Sequence, residues 1–122
     1  MRLIVLLFFC SALSSCASAP PRDIDREGVK EVVENNTSDI RDCYELALQK
    51  DDSLNGKITM AWEITSGGNA RNITVKSGDE ALRKSEPLTT CMIKKIRLWN
   101  FPKAPEGQIS DVIYPFILNF KN

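Results

Sequence analysis

The clearest pattern in the chain is the alternation from Lys57 to Thr65. Ile58, Met60, Trp62 and Ile64 fall on one side, and Lys57, Thr59, Ala61 and Glu63 on the other. This period of two is the mark of a half-buried strand. Ser66-Gly67-Gly68-Asn69 reads as a hairpin turn. Asn72 to Lys76 is then a second strand with Ile73 and Val75 inward, ended by Ser77-Gly78-Asp79. Upstream, Val29, Val33, Asn36, Ile40, Cys43, Tyr44 and Ala47 recur at steps of three and four, which predicts a helix from Asp25 to about Lys50. Asp23 or Asp25 caps its start, and Asn35-Asn36-Thr37-Ser38 is the point where it bends or breaks.

Downstream, Ala81 and Leu82 make a short turn beneath a second helix. Ser85 is that helix's N-cap, and Pro87 lies in its first turn, where a missing amide is harmless. Leu88, Met92, Ile96 and Trp99 form its apolar stripe, with Cys91 beside it. Lys94, Lys95 and Arg97 fall late, where the helix dipole favours cations, and read as a solvated face. Phe101 to Gly107 is an extended loop. The last strand runs from Asp111 to Lys121 with Tyr114, Phe116, Leu118 and Phe120 toward the core. Ile113 and Ile117 lie on its other face, either packed under the loop at 101–105 or left as an apolar stretch. Pro115 cannot donate to a ladder, so this strand belongs at an edge. The order helix, strand, strand, helix, strand predicts an α+β domain: a three-stranded antiparallel sheet covered on one face by two helices.

The first residues, MRLIVLLFFCSALSSC, carry a different pattern. Arg2 precedes an apolar stretch from Leu3 to Leu13, and small residues follow, the layout of a secretory signal. As a helix the stretch reaches roughly 16 Å, against about 30 Å for a bilayer's hydrocarbon core, so it does not span. Leu13-Ser14-Ser15-Cys16 resembles the lipobox of bacterial lipoproteins. That resemblance implies diacylglyceryl transfer to the Cys16 thiol, cleavage after residue 15 and acylation of the new amino terminus. Several acyl chains then hold the protein firmly, at about 0.8 kcal/mol per buried methylene. The alternative is a plain secretory signal cut after Ser15 or at Ala17-Ser18-Ala19. Ala17, where inner-membrane lipoproteins carry Asp, implies the periplasmic face of the outer membrane. The expected organisation is a signal peptide over 1–15, a lipidated tether over 16–24 stiffened by Pro20-Pro21, and one domain over 25–122. The eight residues 17–24 span roughly 27 Å at full extension.

Composition narrows the function. The chain has no histidine, which removes the commonest general base and the commonest metal ligand. Its formal charge is +0 and its charges are interspersed without a basic run, so no nucleic-acid partner is expected. Of four cysteines, Cys10 leaves with the signal and Cys16 carries lipid. Cys43 and Cys91 remain, too few for a closed zinc site. In an oxidising compartment they read as a disulfide, the alternative being two buried free thiols. A bridge closing a loop of about 49 residues contributes on the order of 4 kcal/mol, and it would tie the two helices together. Asp51-Asp52 and Ser53 are the one polar cluster with the look of a catalytic site, and a helix-ending loop accounts for them better. No nucleophile–base pair is visible, so a non-catalytic protein without a cofactor is expected.

Taken in order, Ile40-x-x-Cys43-Tyr44-Glu45-x-Ala47-Leu48, Leu54-x-Gly56-Lys57-Ile58, Ile64-Thr65-x-Gly67-Gly68, Cys91-Met92-Ile93, Trp99-x-Phe101-Pro102 and Tyr114-Pro115-Phe116 resemble the AgmX/PglI C-terminal domain family, a branch of the TonB C-terminal-like domains. The match covers about Asp25 to Phe120. It implies a TonB-like fold and a periplasmic protein-interaction module, whose last strand accepts an extended peptide by strand addition. The strand implied is Val112 to Phe120, with Val112, Ile113, Tyr114, Phe116, Ile117 and Leu118 as its partner-binding residues. Energy transduction of the TonB kind does not carry over, because a lipid anchor and a short tether supply neither a transmembrane helix nor a long spacer. The expected partners are the membrane through Cys16 and an envelope protein or peptide, with peptidoglycan as a variant. The competing class is a structural or assembly subunit of an envelope complex.

Overall fold

The computed structural model describes residues 23–119. The segment expected to be an export signal, the expected lipidation site Cys16, most of the expected tether, and Phe120 lie outside the described residues. Within them the fold is α+β, with a three-stranded antiparallel sheet, helices packed on one face of it, and one disulfide.

The expected first helix is two. α1 spans Arg26–Asn35 and α2 spans Thr37–Leu48, joined at Asn36. The break has a local cause. The Asn36 side chain donates to Val32 O at 2.7 Å, and the Thr37 hydroxyl donates to Glu34 O at 2.8 Å. Short polar side chains here compete with the helical ladder for its carbonyls. Asp25 caps α1, accepting from Gly28 N at 2.9 Å. Ile24, which sequence assigned to the tether, is buried. It precedes the cap by one position, and Val29, also buried, is the fourth helical residue. This is the spacing of a hydrophobic staple, which fixes the angle at which the chain enters the helix.

β1 spans Gly56–Ile64 and β2 spans Ala70–Gly78. The short turn foreseen at 81–82 is a five-residue helix, α3, Glu80–Lys84, with Leu82 fully buried. α4 spans Glu86–Leu98, capped by the Ser85 hydroxyl accepting from Leu88 N at 3.4 Å. β3 spans Ser110–Leu118. The strand order is β2-β1-β3, which makes β1 central.

The core collects the inward residues of every layer. Ile58, Met60, Trp62 and Ile64 of β1 meet Ile40, Cys43, Tyr44 and Ala47 of α2 and Leu88, Met92 and Ile96 of α4. Val112, Phe116 and Leu118 come in from β3. The loop after α4 is part of this packing. Phe101 lies with its ring centroid 5.7 Å from that of Trp62 and 6.2 Å from that of Trp99. The indole N–H of Trp99 donates to Asp39 Oδ2 at 2.9 Å, tying the end of α4 to the start of α2. Phe101 N donates to Gly68 O at 3.0 Å and Ala104 N donates to Thr65 O at 3.1 Å, so the loop clamps the β1–β2 turn.

Candidate functional site

The residues expected to bind a partner all lie on β3, and the fold divides them. Val112, Phe116 and Leu118 are buried in the core and Tyr114 is half-buried, so they offer a partner little beyond their backbone. Ile113 and Ile117 point to the opposite face and are 54% and 57% exposed. They do not pack under the loop at 101–105, because Phe101 and Ala104 of that loop are buried and Phe101 stacks on the core face beside Trp62. The two isoleucines therefore belong to the open face of the sheet.

β3 is an edge strand, as Pro115 indicated. It pairs with β1 over nine consecutive residues, from Gly56 opposite Leu118 to Ile64 opposite Ser110, without a register shift. Its other side has no strand beside it among the described residues. β2 is the opposite edge and is less regular. Its register with β1 shifts twice, and Asn72 takes a positive φ of 50° within one shift. Such bulges twist an edge away from further pairing. Of the two edges, β3 is the one that keeps an unshifted register with β1, and Pro115 removes one donor from it.

A small cavity of about 110 Å³ lies between the start of α1 and the middle of β3. Val112 and Tyr114 line it from the core face and Ile113 from the open face, so it follows the outer edge of the strand. Ile24 and Val29 make its other apolar wall. Arg26 and Lys30 also border it, each engaged on its own helix surface: Arg26 with Asp23 at 3.1 Å and Lys30 with Glu34 at 3.8 Å. This wall was missed in the sequence. The signal for it was present, since Ile24 is the one large apolar residue among 17–25 and stands one position before the cap.

Cys43 and Cys91 are joined, with Cα atoms 5.5 Å apart, and the bond ties α2 to α4. Asp51, Asp52 and Ser53 form a turn. Asp51 Oδ1 accepts from Ser53 N at 3.0 Å and from the Ser53 hydroxyl at 2.5 Å. These hydrogen bonds hold the Asp51 carboxyl below its usual pKa, the hydroxyl contributing most. The described residues contain no group of three or more His, Cys, Asp or Glu side chains placed to hold a metal ion. No family profile, curated protein or solved structure matches the chain.

Proposed function

We propose that the chain is a lipid-anchored interaction module of the bacterial envelope, held by Cys16 at the periplasmic face of the outer membrane, that binds an extended segment of an envelope protein or peptide along β3. The observation that carries this reading is the outer edge of β3, a regular nine-residue strand with a helix wall beside it. Strand addition needs both parts: free backbone donors and acceptors for affinity, and side-chain contacts at alternate positions for selection. Ile24 and Val29 supply apolar contact on one side of an added strand, and Ile113 supplies it on the other. The sequence resemblance to AgmX/PglI C-terminal domains points the same way, as does the lipobox tetrad. No separate observation favours the assembly-subunit alternative.

The test is capture in cells through a photoreactive residue at position 114, with the same label at Lys94 on α4 as a control. One or more envelope proteins crosslinked at 114 and absent at 94 would support the reading. Replacing Ile113, which shares the parity of Pro115, by Pro removes an outward-facing backbone donor from β3 and should reduce that yield while the folded domain persists. Absence of any crosslink at 114, with or without Cys16→Ser, would sink it.

A further inference from the structure

Beyond its edge, β3 carries a second surface. Ile113 and Ile117 share one parity along β3 and are 54% and 57% exposed, and Ile109, just before the strand, is 45% exposed. Alternate residues of a strand point to one side, so Ile113 and Ile117 lie on the open face of the sheet with Pro115 between them, and the exposed Ile109 extends the line at the entry to β3. Across β1, Ala61 stands opposite Ile113, Thr59 opposite Pro115 and Lys57 opposite Ile117. Ala61 leaves Ile113 open on that side, and the observed exposures of Ile113 and Ile117 show that Lys57 does not cover the line. A line of three large aliphatic side chains on an exposed sheet margin marks a contact surface.

What covers it is indicated by where the described chain begins. Ile24 shares the cavity at the edge of β3 with Ile113 itself, so the chain leading back to Cys16 leaves the domain beside the middle of this line. Six residues, 17–22, separate Asp23 from Cys16, and the seven Cα–Cα steps reach at most roughly 25 Å. We infer that the Ile109–Ile113–Ile117 line rests on the lipid surface to which Cys16 is anchored, docking the open sheet face against the bilayer. This inference rests on the anchor proposed above. Anchoring makes the second contact intramolecular, so a patch too weak to hold a free protein to lipid is sufficient for an anchored one. Asp111 stands opposite Glu63 and Lys57 opposite Ile117, so the charges beside the line are of both signs, give no net attraction to anionic headgroups, and leave the isoleucines as the contact. It is expected to form on neutral phospholipid and to withstand salt.

The experiment uses the full lipidated protein in phosphatidylcholine vesicles, with a fluorophore on Ile113→Cys and, separately, on Lys94→Cys. Lipids brominated on the acyl chain should quench the label at 113 several-fold more than the label at 94, equally at low and high salt. The pair Ile109→Asp and Ile117→Asp should abolish the difference without releasing the protein from the vesicles. Equal quenching at the two positions would overturn the inference. So would a label at 113 that is shielded without vesicles in a chain that sediments as a dimer, because the face would then belong to a second copy. The mass of the purified chain reports acylation of Cys16 independently. If Cys16 is unmodified, the anchor reading fails and this inference falls with it; equal quenching with Cys16 acylated overturns the inference alone.

Discussion

Gly68 shows how one backbone position organises this molecule. It sits in the β1–β2 turn with φ +82°, and a Cβ placed there would lie 2.6 Å from the carbonyl oxygen of Phe101. The left-handed backbone and the close approach of the loop both require the missing side chain. Gly68→Ala should therefore destabilise the domain by about 1–3 kcal/mol, read as a lower urea midpoint with an unchanged slope. A second residue-scale prediction concerns Asp51. Ser53 favours its charged form in the fold, so its folded pKa lies below its unfolded one. The sign follows from linkage: the stabilisation is present above the ordinary carboxylate range and is lost as pH falls through the depressed value. An NMR titration of the Asp51 carboxyl should show that depressed midpoint, and Ser53→Ala should raise it. A midpoint unmoved by Ser53→Ala would show that the turn, rather than the hydroxyl, sets it.

At the scale of elements, the disulfide is the main staple between α2 and α4. The double variant Cys43→Ser, Cys91→Ser should lose about 2–5 kcal/mol of stability, measured by denaturant unfolding, and reductant should lower the wild type and leave the variant alone. The elements themselves were largely legible in the sequence, for identifiable reasons. β1 alternates because it buries one face only, and α4 announces itself through Ser85, Pro87 and its stripe at steps of three and four. The two helices foreseen as one were separated by polar side chains competing for carbonyls, and the run Asn35 to Ser38 carried that signal. α3 was read as a turn because five residues hold too little periodicity to be told from one. Strand order was not legible, since local pattern does not say which strand is central. The packing of Ile113 and Ile117 stayed open for a related reason. Two positions on the far face of an edge strand look alike in sequence whether a loop covers them or leaves them bare. The face taken by the loop at 101–104 was decided by tertiary contacts, the stacking of Phe101 beside Trp62 and its bond to Gly68.

At the scale of the whole molecule, the proposed function makes a quantitative demand on the tether. The folded domain starts at Asp23 and Ile24, so the anchor has few free residues, and the edge of β3 lies beside the point where they leave. A partner in the same membrane then meets β3 at an effective concentration set by tether length. For a flexible chain that concentration falls roughly as the −3/2 power of length. Inserting about twenty Gly/Ser residues before Asp23 lengthens a free tether of about six residues to about twenty-six, and the effective concentration should drop roughly nine-fold. The intrinsic affinity of β3 for its partner segment should not change, because no contact is altered. Two measurements separate these outcomes: crosslinking yield at position 114 in cells, which should fall, and binding of the captured partner's segment to the detergent-solubilised protein, which should stay constant. A yield indifferent to tether length would mean that the partner is not confined to the anchoring membrane. A loss in both measurements would mean that the residues just before Asp23 take part in binding, and the edge of β3 would then be only part of the site.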